Sequence, residues 1–267
     1  MTYPCEHPSR SKWSRPRDHA RPSPRGFSMV ELLVVLAVVM ILTSLLMPGL
    51  QSARHSAYTV VCGANQRQIG IGFLLYSEDH NGHLPVSLLQ EQGDYAEMMA
   101  VTTGDQGESS PQGPGYDGLG KLWEFRYLDS PKCLHCPMHC HKHTFEANSL
   151  AYTSLTGSVM RRIYSNYHYT GHATLESCRG GGMLERRNMN RGDQFVLLTD
   201  GLRTREDFNH QTGLNVLFAD GHYEYHADTG EEIRNSLPHD GGLLDDDAFL
   251  ANNETVSNIW DTLRIDG

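Results

Sequence analysis

The chain has 267 residues, a length for one large or two small domains, and its 22 Lys+Arg against 32 Asp+Glu give a formal net charge of −10. An acidic body of this kind excludes nucleic-acid binding through a basic face. The charge is unevenly divided: residues 1–26 carry Arg10, Lys12, Arg15, Arg17, Arg21 and Arg25 against Glu6 and Asp18, a net +4, which leaves −14 for the remainder.

Residues 1–26 are rich in Pro, Arg, Ser and His and have no apolar periodicity, so they read as a disordered leader that is removed. Residues 27–47, FSMVELLVVLAVVMILTSLLM, supply the run of about 20 apolar residues that a membrane-spanning helix needs. The basic flank stays cytoplasmic by the positive-inside rule, and the acidic remainder is sent across the membrane. Glu31 sits inside the apolar run, where a carboxylate costs about 2.5–3.5 kcal/mol on insertion scales and needs a partner. An ordinary cleavable secretion signal has a shorter apolar stretch followed by an A-x-A site. Here Pro48-Gly49-Leu50-Gln51 follows instead.

Past the span, Leu50, Ala53, Ala57, Val60 or Val61, Ala64, Ile69 and Leu74 recur at helical spacing among polar residues. The pattern predicts one helix from about Phe27 to about Ser77, with residues 48–80 as its extracytoplasmic continuation and 81–267 as a separate α+β domain. Pro48-Gly49 should kink or locally melt it. A short helix is expected within residues 87–99, and a loop from Thr102 to Gly120, where Gly, Ser, Pro, Gln and Asp dominate. Residues 144–193 give no clear pattern, although Gly180-Gly181-Gly182 marks a loop.

Strands are expected over Gln194–Thr199, Leu214–Ala219 and His222–His226. Asp220-Gly221 between the last two predicts a type I′ hairpin turn. A small antiparallel sheet packed on the long helix would bury both apolar faces. From Asp228 onward the chain reads as an acidic loop, with Asp240 and Asp245-Asp246-Asp247 as oxygen donors that suit Ca²⁺ or form a solvated charge run.

Two clusters carry chemistry. Cys133, Cys136 and Cys140, with His139, His141 and His143, offer soft ligands for a tetrahedral zinc, while His135 lies inside the tight Cys-x2-Cys turn. The oxidising compartment implied by export favours disulfides instead, and Cys62, Cys133, Cys136, Cys140 and Cys178 leave an odd thiol over. His210, Asp220 and His222, with Asp200 on the adjacent strand, suit a metal or acid–base chemistry if they converge. A simpler role gives Asp220 to the turn, with His210 packed over it.

Three stretches resemble known families. Pro24-Arg25-Gly26 before Phe27 and Glu31 resembles the type IV prepilin signal, and Pro48 falls where pilins commonly carry a proline. The segment Cys62-Gly63-Ala64-Asn65-Gln66-Arg67-Gln68-Ile69-Gly70, then Tyr76, Asp79, Gly82 and Leu84-Pro85, is similar to the G-type pseudopilins of type II secretion. His210 followed after nine residues by Asp220-Gly221 resembles the prepilin-type H-X9-DG domain, and Tyr127-Leu128-Asp129 and Cys136-Pro137 resemble the segment before that family's sheet.

The resemblance implies cleavage after Gly26 by a prepilin peptidase, N-methylation of Phe27, and a Glu31 carboxylate that pairs with the new amine of a neighbouring subunit. It implies a structural subunit of the inner membrane, with its C-terminal domain periplasmic. Other pilin-like subunits and an inner-membrane assembly platform are the implied partners. The G-type relatives also carry a calcium site in their C-terminal loop. An anchored metal- or ligand-binding domain that does not polymerise is the alternative, and a metal-dependent hydrolase comes third. No G-x-S-x-G, P-loop, dinucleotide fingerprint or H-E-x-x-H occurs, so nothing in the sequence calls for an enzyme.

Overall fold

A computed structural model describes residues 26–102, 115–154, 162–179, 184–191, 195–210, 212–239 and 246–265. Two compact units divide the chain, Met1–Leu50 and Gln51–Gly267. The helices are α1 (Met29–Asp79), α2 (Leu88–Gln92), α3 (Gly120–Glu124), α4 (Phe145–Ser154), α5 (Leu175–Arg179), α6 (Glu232–Ser236) and α7 (Asp246–Ile265). The strands are β1 (Tyr167–Tyr169), β2 (Val196–Asp200), β3 (Gly213–Phe218) and β4 (Tyr223–Ala227).

The first unit holds the start of α1. Its Leu, Val, Ile and Met side chains from Met29 to Met47 are almost all exposed, as a lipid-facing helix requires. The Thr43 hydroxyl donates to Val39 and Met40 carbonyls and the Ser44 hydroxyl to Ile41, so neither leaves a bare donor in the apolar run. Of the kink or local melting expected at Pro48, the melting is absent: helix runs unbroken through Pro48 and Gly49. Proline removes one backbone donor, and strong helix formers on both sides carry the ladder past a single missing bond.

In the second unit α1 buries Cys62, Gln66, Ile69, Phe73 and Tyr76, a stripe at alternating spacings of four and three. This corrects the expected stripe, of which only Ile69 is buried; Leu50, Val60, Val61 and Leu74 are exposed. The reason lies in the glycines. A Cβ at Gly63 would run into the Tyr223 ring, and one at Gly70 or Gly72 would crowd Leu217 or Leu128. Small residues set the close approach of helix and sheet, and hydropathy patterning passes over them. Phe73 stacks on Tyr169 at 5.0 Å to fill the centre of the core.

The sheet is an antiparallel meander in the order β1-β2-β3-β4. Together with α1 it gives the expected α+β, pilin-like arrangement. β1 pairs Tyr167 with Asp200 and was not foreseen from the sequence. β2 and β3 pair Val196 with Phe218 but Leu198 with Leu217, a bulge that re-aims the strand toward its Asp200 end.

The β3–β4 turn differs from the expected type I′. Among Ala219-Asp220-Gly221-His222 only Gly221 has positive φ, at 84°. The connection is four residues long, closed by Phe218 N–H donating to the His222 carbonyl at 2.9 Å and capped by the Phe218 and His222 rings stacked at 4.5 Å.

Residues 87–99 form not one helix but α2 and a 3₁₀ turn over Tyr95–Glu97, separated by Gly93 at φ 80°. The largest correction is at the C-terminal end, where α7 replaces the expected acidic loop. Val256, Ile259, Trp260 and Leu263 are its buried face, and Trp260 meets the Tyr95 ring at 6.4 Å and the His168 ring at 5.0 Å. Asn253 Oδ1 accepts from Ala96 N–H at 2.7 Å and Asn252 Nδ2 donates to the Arg203 carbonyl at 2.9 Å, so polar residues on α7 tie loops down as well. Asp246 and Asp247 open this helix; Asp240 and Asp245 lie outside the described residues, as do residues 103–114 of the expected loop, Gly180 to Gly182 and the leader up to Arg25.

Candidate functional site

At the N-terminal junction, Glu31 lies in the first turn of α1 and its Oε2 accepts from the Ser28 N–H at 2.9 Å. The carboxylate therefore caps the helix start, where the helix dipole favours negative charge. Among the described residues, a Cβ at Gly26 meets nothing within 4 Å. Phe27 is exposed. Among the described residues, no contact requires a glycine at 26 or an aromatic residue at 27.

The cysteine–histidine segment is anchored by a 3₁₀ turn, Pro131–Leu134, capped by the Ser130 hydroxyl accepting from Lys132 N–H. Cys136 N–H donates to Asn166 Oδ1 at 3.0 Å, and the His135 carbonyl accepts from Asn65 Nδ2 of α1 at 3.3 Å. This brings Cys136 not to its sequence neighbours but to Cys62, with which it forms a disulfide at a Cα–Cα distance of 5.6 Å.

Cys133 is buried with its Sγ donating to the Ser130 carbonyl at 3.0 Å, and burial pushes its thiol up to about 12; Cys140 is exposed and Cys178 half-buried. His139 is held by Asn209 Oδ1 at 3.0 Å and by the His143 N–H at 3.4 Å, His141 is exposed, and His143 packs on the Tyr164 ring at 4.7 Å. His135 joins the His143 carbonyl and the Tyr152 hydroxyl. Among the described residues, the ligand-type side chains whose donor atoms all lie within 4.8 Å of one another are Cys62, Cys136 and His210. Cys133, Cys140 and the segment's histidines are not gathered in that way.

His210 is wholly buried, and it is not joined to Asp220. The two residues flank opposite ends of β3. His210 Nε2 lies 3.6 Å from Asp200 Oδ2 and 4.0 Å from Cys136 Sγ, and its Nδ1 is 3.3 Å from Thr59 Oγ1. Asp200 Oδ1 accepts from Gln66 Nε2 at 3.1 Å, while Oδ2 accepts from the Asn215 N–H at 2.7 Å and from Asn215 Nδ2 at 2.9 Å. The Tyr223 hydroxyl donates to Asn215 Oδ1, and Arg67 lies 5.0 Å over the Tyr223 ring.

Burial pushes the Asp200 carboxyl up to about 7 in spite of the Asn215 and Gln66 hydrogen bonds, and burial, with His55 nearby, pulls the His210 imidazole down to about 4. Each group is driven toward its neutral form, so their contact is not a full ion pair. At the other end of β3, Asp220 Oδ1 accepts from the His222 N–H at 2.9 Å, and both side chains are exposed. Asp220 serves the turn.

Residues 21–47 match the family described as the prokaryotic N-terminal methylation motif. No curated protein and no solved structure matches the chain. The matched segment gives the chain a type IV prepilin-like N-terminus. It overlaps α1, which among the described residues is the helix long and apolar enough to cross a membrane. Together they fit a single-pass, membrane-anchored protein.

Sequence reasoning singled out His210 and Asp200 but missed Thr59, Gln66 and Asn215 as their partners, and it did not join Cys62 to Cys136. One signal was present. Gln66 is a polar residue on the helix stripe between Cys62 and Ile69, and a polar side chain inside an apolar stripe needs a buried partner.

Proposed function

We propose that the chain is a prepilin-like structural subunit, not an enzyme. Prepilin peptidase removes the basic leader after Gly26, the new Phe27 amine is methylated, and α1 holds the protein in the inner membrane with residues 81–267 in the periplasm. Subunits then assemble, helix against helix and with an inner-membrane platform, into a type II secretion pseudopilus or a type IV pilus-like filament.

The observation that carries this reading is the match over residues 21–47, at a glycine that packing among the described residues does not require. Two further features support it. Beyond the apolar run, α1 keeps Val60, Val61, Ile71, Leu74 and Leu75 exposed, apolar surface that helix-against-helix assembly would cover. Glu31 also stands one turn from the peptide nitrogen that cleavage converts to an ammonium. A cation and a carboxylate in low dielectric attract strongly, and pairing between neighbours sets their register.

Glu31→Ala tests the assembly step. Cleavage and methylation should persist while incorporation into filaments falls at least tenfold, read by shearing and immunoblotting. Incorporation at the wild-type level would instead favour an anchored domain that does not polymerise.

A further inference from the structure

We propose that Cys62, Cys136 and His210, with Asp200 beside them, form a buried site for a tetrahedral soft divalent cation, zinc by its chemistry, which is open when the Cys62–Cys136 disulfide is reduced. Two thiolates, an imidazole and a carboxylate are a donor set that zinc accepts. With zinc–sulfur bonds of about 2.3 Å and zinc–nitrogen or –oxygen bonds of about 2.0–2.1 Å, tetrahedral ligand atoms stand roughly 3.3–3.8 Å apart. The structure holds His210 Nε2 at 3.6 Å from Asp200 Oδ2 and at 4.0 Å from Cys136 Sγ. For these two distances, closing on an ion asks for shifts of a few tenths of an ångström, while the two sulfurs part by more than an ångström from bonding to ligand distance.

The orientation of His210 supports the assignment. The Thr59 hydroxyl lies 3.1 Å from the His55 carbonyl and 3.3 Å from His210 Nδ1, so it holds the ring from its far nitrogen. In the Nδ1-protonated tautomer, which a cation at the centre would select, Nε2 presents a lone pair toward Asp200 Oδ2 and Cys136 Sγ. A hydrogen bond that fixes the far ring nitrogen is how metal-ligating histidines are usually held. Asn215 and Gln66 orient the carboxylate in the same way. His210 Nε2 and Asp200 Oδ2 stand 3.6 Å apart, beyond hydrogen-bonding reach and at the spacing of two ligands on one ion. Gln66 Oε1 and His55 Nε2, both on side chains that meet this cluster, are buried without a hydrogen-bond partner, so the polar shell is incomplete as it stands.

The chemistry balances. A dithiol reductant converts the disulfide to two thiols and is itself oxidised to a disulfide. Zinc then displaces one proton from each thiol. Disulfide and metal exclude each other; both tie α1 to the segment after the 3₁₀ turn, and the ion would add Asp200 at the end of β2 and His210 ahead of β3. The ion would hold the fold wherever the disulfide has not formed.

The test uses the full chain in detergent micelles with Cys5, Cys133, Cys140 and Cys178 replaced by Ser, which removes the competing thiols. Reduced protein should bind one cobalt(II) per chain, with intense tetrahedral visible bands and a sulfur-to-cobalt charge-transfer band, and oxidised protein should bind none. Cys62→Ser and His210→Gln should each weaken cobalt binding at least tenfold and change its spectrum. Reduced protein that stays folded without taking up cobalt overturns the proposal. So does a spectrum unchanged by His210→Gln. If the reduced chain does not fold alone, refolding it with stoichiometric zinc should restore the circular dichroism of the oxidised form, and failure to do so also overturns it.

Discussion

Reducing the Cys62–Cys136 disulfide in the presence of a strong chelator should destabilise the second unit substantially. The bond joins residues 74 apart in sequence. In the chain-entropy account, removing a cross-link over such a loop returns conformational freedom to the unfolded state worth about 4.4 kcal/mol at 25 °C. For a unit of this size each kcal/mol lowers the unfolding midpoint by roughly 2–4 °C, so the expected fall is roughly 9–18 °C. Both cysteines are buried and the reduced thiols occupy nearly the same space, so little cavity cost is added.

The assay is thermal unfolding of the full chain in detergent, followed by tryptophan fluorescence, with oxidised and reduced samples in the same chelator. Peptide mapping of the oxidised sample should recover Cys62 linked to Cys136. A midpoint unchanged within about 2 °C would refute the reasoning, and a Cys133–Cys136 linkage would refute the assignment.

The other predictions concern the core and its charges. Glu97 is buried against Arg162 Nη1 and Arg203 Nε, each at 2.7 Å, and accepts from the Tyr164 hydroxyl. Burial alone would raise its carboxyl, but Arg203, Tyr164 and Arg162 outweigh it and hold the pKa below the usual range. Glu97→Gln should therefore cost about 3–5 kcal/mol near neutral pH. Because the lowered pKa stabilises only while the carboxylate is ionised, the deficit should shrink as the pH falls through the acid range, and a deficit equal at pH 7 and in acid would contradict the assignment. Trp260→Ala should cost about 3–5 kcal/mol, as for a buried aromatic side chain, measured by denaturant unfolding; a near-neutral effect would mean that α7 is not docked on Tyr95 and His168.

The sequence made some elements legible because their signals are local. The apolar run after Gly26, the β-rich stretches that became β2 and β3, and the turn role of Asp220 all follow from patterns a few residues long. The misses are non-local. Gly63, Gly70 and Gly72 set the buried face of α1 through what lies opposite them, and opposite neighbours are invisible to hydropathy. β1 is three residues long, too short for periodicity to register.

The helix α7 was legible in principle. Val256, Ile259, Trp260 and Leu263 follow the spacing of a helical face, but the acidic residues ahead of them and the low overall hydropathy of the stretch hid it. The candidate site was half visible. His210 and Asp200 stood out by type, while the pairing of Cys136 with Cys62 depends on a helix and a loop brought together by the fold.

The most direct test of the central claim is mass spectrometry of the N-terminus of the membrane-bound protein. The account predicts a chain that begins at Phe27 with one added methyl group on its amine, and an unprocessed chain when Gly26 is replaced by Val. An intact leader on the wild-type protein in cells with an active prepilin peptidase would contradict it.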